Sequence, residues 1–223
     1  YQVIKNVPVN QPVKLQQSAA SGQFVYESFF RPSPPVLQPE TGTVTNWRHR
    51  ENDFVDYNVQ YLIPHAQSTR GPKIAVGDVN GDGLEDIYVC GARGQAGTLL
   101  VQTNQGLFTT VSQPAFEADA ASEDVDALFF DANGDQKLDL YVVSGGNEET
   151  GNQPALLDRL YLNNGSGQFA KAALPPFYAN KSCVAAADID KDGDTDLFVG
   201  TLADARAYGV AQTCYLLINN GRG

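Results

Sequence analysis

Three short stretches carry the chemistry in this sequence. They are Asp78-Val-Asn80-Gly-Asp82-Gly-Leu84-Glu-Asp86, Asp131-Ala-Asn133-Gly-Asp135-Gln136-Lys137-Leu-Asp139 and Asp188-Ile-Asp190-Lys-Asp192-Gly-Asp194-Thr-Asp196. Each puts a carboxylate or amide at positions 1, 3 and 5 and an Asp at position 9. Side chains of this type, packed so closely, repel one another unless a cation sits among them. Ca²⁺ is the matching ion, because it takes six to eight oxygens at about 2.3–2.6 Å from carboxylates, amides, backbone carbonyls and water. The pattern predicts three Ca²⁺ sites on a repeated scaffold.

The elements that must hold these loops are strands. An EF-hand loop needs a bidentate Glu at position 12, between two helices. Here position 12 is Val89, Val142 and Val199. The lead-in runs are 73–77, 126–130 and 183–187; the lead-out runs are 87–90, 140–143 and 197–200. They are short and apolar, and mostly rich in β-branched or aromatic residues, which reads as buried strands. Each motif is therefore expected as a strand–loop–strand hairpin.

Composition narrows the function. The 223 residues carry a net charge of −11, which argues against nucleic acid, since phosphate binding needs a basic face. Much of the acid lies in the three loops, and three bound Ca²⁺ would bring −11 to −5. No stretch approaches a membrane span. Three cysteines, Cys90, Cys183 and Cys214, are too few for a disulfide framework and read as buried free thiols, with a Cys183–Cys214 bond as the alternative. A chain that begins at Tyr1 and holds no Met reads as processed or as a fragment. Several unspecialised Ca²⁺ loops favour an exported protein, because cytosolic Ca²⁺ is scarce.

Residues 1–45 differ from the rest. Val3, Val7, Val9, Val13 and Leu15 alternate loosely with polar residues, and 23–30 suggests another strand. Pro32, Pro34, Pro35 and Pro39 then break regular structure. This region is expected as N-terminal strands and a Pro-rich linker. A polar and aromatic stretch from Trp47 to His65 follows, expected to be irregular and to pack ahead of the first loop.

From about residue 70 the chain repeats. Loop starts at 78, 131 and 188 give units of about 70–112, 122–172 and 181–223 within a second region, 46–223. After each hairpin comes a third strand, at 98–102, 158–162 and 213–218, then an Asn/Gly turn. Fourth strands begin at Leu107-Phe108 and Gln168-Phe169, while the third unit reaches Gly223 before its Phe. A period near 50 with four short strands per unit is the signature of propeller blades. The expectation is an all-β chain of about three four-stranded antiparallel blades, an incomplete propeller.

These units resemble the FG-GAP/VCBS repeats of integrin-α-like β-propellers. The resemblance implies Ca²⁺ in the loop between a blade's first two strands, held by positions 1, 3, 5 and 9 and by the carbonyl of position 7. Carried over, the ligands are Asp78, Asn80, Asp82, the Leu84 carbonyl and Asp86; Asp131, Asn133, Asp135, the Lys137 carbonyl and Asp139; and Asp188, Asp190, Asp192, the Asp194 carbonyl and Asp196. The second loop departs from the pattern at position 6, where Gln136 replaces Gly. A positive φ there would strain Gln136, so this site is expected to be the weakest. A narrower match covers about 46–223. His49-Arg-Glu51-Asn52-Asp53-Phe54, Leu62-Ile-Pro64-His65, 72–83 and 122–126 resemble large exported VCBS-repeat proteins of Bacteroidetes-type bacteria.

Nothing in the sequence reads as a catalytic motif. There is no G-x-S-x-G, P-loop or dinucleotide fingerprint. His49 and His65 lack ligand spacing. The 49–51 cluster suits a hydrogen-bonded turn better than an anion site. Asp124 and Asp126 suit a strand edge better than an acid–base pair. The expected function is a non-enzymatic, Ca²⁺-binding extracellular or cell-surface module for adhesion, protein interaction or assembly. Its partner would be another protein, or further copies or segments of the same one. The alternative is a carbohydrate-binding or lyase-like propeller with structural Ca²⁺ and a glycan partner.

Overall fold

The computed structural model describes residues 4–7, 9–26, 37, 42 and 47–222. The chain divides into two compact units, Tyr1–Glu40 and Thr41–Gly223. In the first, a 3₁₀ turn spans Gln17–Ala19, and residues 4–7 and 9–25 form no strand. Val7, Val9, Val13 and Leu15 are exposed there. Alternation specifies a strand only where one face is buried. Val3 and residues 27–30 of the expected strand lie outside the described residues.

The second unit holds three antiparallel sheets in sequence. The first is β1 (Ile74–Gly77), β2 (Asp86–Val89), β3 (Thr98–Gln102) and β4 (Phe108–Val111). A short helix, α1 (Pro114–Glu117), leads to the second sheet: β5 (Asp124–Phe130), β6 (Asp139–Ser144), β7 (Arg159–Asn163) and β8 (Phe169–Ala172). The third has β9 (Lys181–Ala187), β10 (Asp196–Thr201) and β11 (Tyr215–Leu217). Among the described residues it has three strands where the other sheets have four. The sheets are the three blades expected from the repeat. The stretch from Trp47 to His65 is irregular apart from a 3₁₀ turn at Asp56–Asn58.

The blades stack face to face, and β6 shows why. Successive side chains on a strand point to opposite faces. Leu140 and Val142 join a core with Ala75, Tyr88, Leu99 and Phe116 of the first blade and its helix. Tyr141 and Val143 join a second core with Leu197 and Val199 of the third blade. All six β6 residues are consequently buried. Gly77 is a point of close approach between the first two blades, since a Cβ there would sit 2.6 Å from Leu138 Cδ1.

Far from the hairpin loops, buried charges tie the blades together. Arg159 Nη2 donates to Asp124 Oδ1 at 2.7 Å, and Tyr88 donates its hydroxyl to Asp124 Oδ2 at 2.9 Å. Lys181 Nζ lies 3.3 Å from Asp158 Oδ1, which accepts the Ser144 N–H while Oδ2 accepts the Tyr141 hydroxyl. Burial works against the Arg159 charge, yet the Asp124 carboxylate holds its pKa above the ordinary value. A buried ion pair of this kind is costly to break singly, at about 3–5 kcal/mol.

Candidate metal centre

All three hairpins close in the same register. Asp86 pairs with Gly77, Asp139 with Phe130 and Asp196 with Ala187. The position-9 Asp is thus the first residue of each second strand, directly opposite the last residue of the first. Its carboxylate is fully buried in all three blades.

Each of these carboxylates accepts two backbone N–H groups. One oxygen takes the N–H of loop position 2: Asp86 from Val79 at 3.0 Å, Asp139 from Ala132 at 3.0 Å and Asp196 from Ile189 at 2.9 Å. The other oxygen takes an N–H at the end of the third strand: Gln102 at 2.9 Å, Asn163 at 2.7 Å and Asn219 at 2.8 Å. The position-9 Asp therefore fastens loop, second strand and third strand at one point. The sequence pattern offered it only as a ligand.

Position 1 organises the loop backbone. Asp78 Oδ1 accepts the Gly81 N–H and Oδ2 the Gly83 N–H, both at 2.7 Å. Asp131 accepts from Gly134 and Gln136, each at 2.8 Å. Asp188 accepts from Lys191 at 2.7 Å and Gly193 at 3.2 Å. Position 5 accepts the N–H of position 7: Asp82 from Leu84, Asp135 from Lys137 and Asp192 from Asp194. Wrapping the chain around position 1 turns positions 4 and 6 left-handed. Position 6 is Gly83 (φ 82°), Gln136 (φ 64°) and Gly193 (φ 98°), so Gln136 does adopt the conformation that disfavours a side chain. At position 4, Lys191 (φ 65°) stands where the other loops have Gly81 and Gly134.

The loops differ in how far they converge. Asp188, Asp190 and Asp196 present carboxylate oxygens within 4.8 Å of one another, a set that could hold a metal ion. Among the described residues no other His, Cys, Asp or Glu trio does so. In the first loop, Asn80 Nδ2 donates to Asp82 Oδ2 at 3.1 Å. In the second, Lys137 Nζ lies 3.1 Å from Asp135 Oδ2, so an ammonium already faces that carboxylate. Burial, then repulsion from the neighbouring loop carboxylates, lifts the pKa of Asp86 and Asp139, although their N–H partners oppose the rise. The donor set is all oxygen and suits a hard cation.

Other candidates have structural partners. His49 Nε2 meets Glu51 Oε1 at 2.7 Å, and the Arg50 N–H donates to Gln95. Asp124 is held by Arg159, and Asp126 Oδ2 accepts the Val184 N–H at 3.0 Å. All three cysteines are free; Cys90 is buried, whereas Cys183 and Cys214 are exposed rather than buried as expected.

A model of the FG-GAP-like repeat matches residues 78–142 and again 131–199, together more than half of the chain. The chain belongs to the FG-GAP-like repeat family, and each match begins at the first Asp of a loop. No curated protein matches it. No helix among the described residues is long and apolar enough to cross a membrane.

Proposed function

We propose that this chain is a non-enzymatic, Ca²⁺-binding propeller module of an extracellular or cell-surface protein, serving adhesion, protein interaction or assembly. The observation that carries the reading is the recurrence, in three blades, of one loop geometry with an acidic, all-oxygen donor set. Positions 1, 3, 5 and 9, with the carbonyls of Leu84, Lys137 and Asp194, would hold the ions. A bound Ca²⁺ supplies the positive charge that lets these carboxylates crowd at the end of each hairpin. Membership of the FG-GAP-like family supports the extracellular setting.

The end faces of the stack support an interaction role. Tyr88, Tyr141 and Phe198 occupy one blade position; the first two are 1% and 0% exposed, while Phe198 is 45% exposed. Leu216, its cross-strand partner, is exposed too, as are Ile189 and Ile218 on the same blade and Ile74 and Val76 on the first. Another blade, from the same protein or another copy, fits such faces. The carbohydrate-binding alternative needs aromatic side chains gathered in a cleft, whereas Tyr88 and Tyr141 lie in the cores.

Calorimetric titration with CaCl₂ tests the metal reading. Position 5 is the place to intervene, because position 9 also fastens the fold. Changing Asp82, Asp135 and Asp192 together to Ala, which removes a ligand oxygen from each loop, is expected to remove three bound ions. Equal binding by this variant and the parent chain would overturn the assignment.

A further inference from the structure

The outer edge of the third blade has a counterpart one blade earlier. Gln102, Asn163 and Asn219 are equivalent by role, since the N–H of each goes to the position-9 Asp of its own blade. In the first two blades a phenylalanine pairs with this residue and opens the fourth strand: Phe108 with Gln102, and Phe169 with Asn163. Among the described residues no strand pairs with Asn219, and β11 is the last strand of its sheet.

Phe169 shows what such a residue does. It is 8% exposed and belongs to the core between the first two blades. There it joins Val79, Tyr88 and Leu99 of the first blade and Leu140 and Tyr161 of its own. Its ring stands 5.5 Å from that of Phe116, and its N–H donates to Gln113 Oε1 at 3.2 Å. Phe108 has no blade ahead of it among the described residues and is only half-buried.

Between the second and third blades the same positions line a cavity of about 380 Å³. They are Ala132, Tyr141 and Leu160 on the second blade and Leu197 and Leu217 on the third, with Asn219 beside them. Loop position and strand register match them one for one with the five residues that pack on Phe169. A mostly apolar lining of this kind favours an aromatic ring over water. The sequence holds a segment of the right type. Ser166-Gly167-Gln168-Phe169 leads into β8, and Ser21-Gly22-Gln23-Phe24 repeats it residue for residue, followed by Val25-Tyr26. Residues 21–25 belong to no strand, and Phe24 is 46% exposed.

We infer that residues 21–26 of a second copy of this chain enter this groove as the fourth strand of the third blade. Phe24 then stands between Tyr141 and Leu197 as Phe169 stands between Tyr88 and Leu140. Backbone hydrogen bonds to the outer edge of β11 supply affinity, and the cavity selects the Phe. In the chain described, β11 pairs only with β10 and residues 21–25 form no strand, so the strand is one that another copy supplies. Each copy can give and receive. Mutual exchange makes a closed pair, and one-way exchange makes a head-to-tail series. This contact rests on the assembly role proposed above, names its donor and its acceptor, and needs no Ca²⁺.

Sedimentation of the whole 223-residue chain over a concentration series tests it. Phe24→Ala damages the donor, and Leu217→Trp fills the acceptor cavity from β11; circular dichroism checks that both variants fold. Each is expected to self-associate about tenfold or more weakly than the parent, as loss of a buried aromatic contact predicts. An equal mixture of the two is expected to associate more strongly than either alone, because the intact segment of one enters the intact groove of the other. Association that Phe24→Ala leaves unchanged, or a mixture no stronger than its parts, overturns the inference while the assembly role stands on the exposed end faces. A parent chain that stays monomeric overturns both, and a melting point lowered by Phe24→Ala would then put the segment on its own chain.

Discussion

Asn219 Nδ2 donates to the carbonyl of Ala132 at 3.0 Å, from the third strand of one blade to loop position 2 of the blade before it. Asn163 does the same to Val79 at 2.7 Å, one blade earlier. The same amides also donate to their own loops, at Thr195 and Leu138. Each Asn therefore links its own hairpin to its neighbour's, at the residue whose N–H the buried Asp fastens. Asn163→Ala is expected to destabilise the chain by about 1–3 kcal/mol, because the Leu138 carbonyl loses its side-chain donor and the Val79 carbonyl keeps only the Gly167 N–H. Chemical denaturation measures it, and a loss below a few tenths of a kcal/mol would contradict this role.

Ca²⁺ should stabilise the folded chain. An ion that binds only the native state contributes RT ln(1 + [L]/Kd), about 2.7 kcal/mol at one hundred times Kd. Melting curves in CaCl₂ and in EGTA check this. Coincident midpoints would remove the metal reading.

Asp196→Ala should damage the third site far more than Asp194→Ala. Asp196 offers a carboxylate and accepts N–H groups from Ile189 and Asn219, whereas Asp194 contributes through its backbone. Asp196→Ala should therefore also lower stability in EGTA, by about 1–3 kcal/mol for each N–H left unmatched. Calcium titration and denaturation of the two variants separate the effects; equal losses refute the assignment.

Stability in chelator should depend on Glu123 as the pH changes. Burial, then Glu148, Glu51 and Asp124, raise its pKa from 4.5 to about 8. The folded state then keeps a proton that the unfolded chain releases, so this group's contribution falls as pH rises from 4.5 towards 8 and levels off above it. Glu123→Gln removes the dependence, and the stability difference between variant and parent should grow across that window. A difference that stays constant with pH would show that Glu123 keeps its ordinary titration.

The exposed end blades should lead the chain to associate. Phe198, Leu216 and Ile218 form one uncovered apolar face, and open strand edges are templates for pairing. Light scattering on the purified chain should show assemblies larger than one chain. A soluble monomer with cooperative unfolding would show that three blades suffice alone.

The hairpins were legible in the sequence because their rules are local. The spacing of Asp, Asn and Gly within nine residues fixes a turn, and the flanking apolar runs fix two strands around it. Gln136 could be marked as strained for the same reason, and its φ of 64° agrees. The requirement at position 4 went unseen, since only the folded turn shows Lys191 at φ 65° beside the glycines of the other loops. Tertiary packing decided the rest. It made Asp86, Asp139 and Asp196 fasteners of a third strand distant in sequence, and it made Asn163 and Asn219 links between blades. Such contacts depend on which strand ends meet when blades stack face to face, and spacing along the chain carries no record of that.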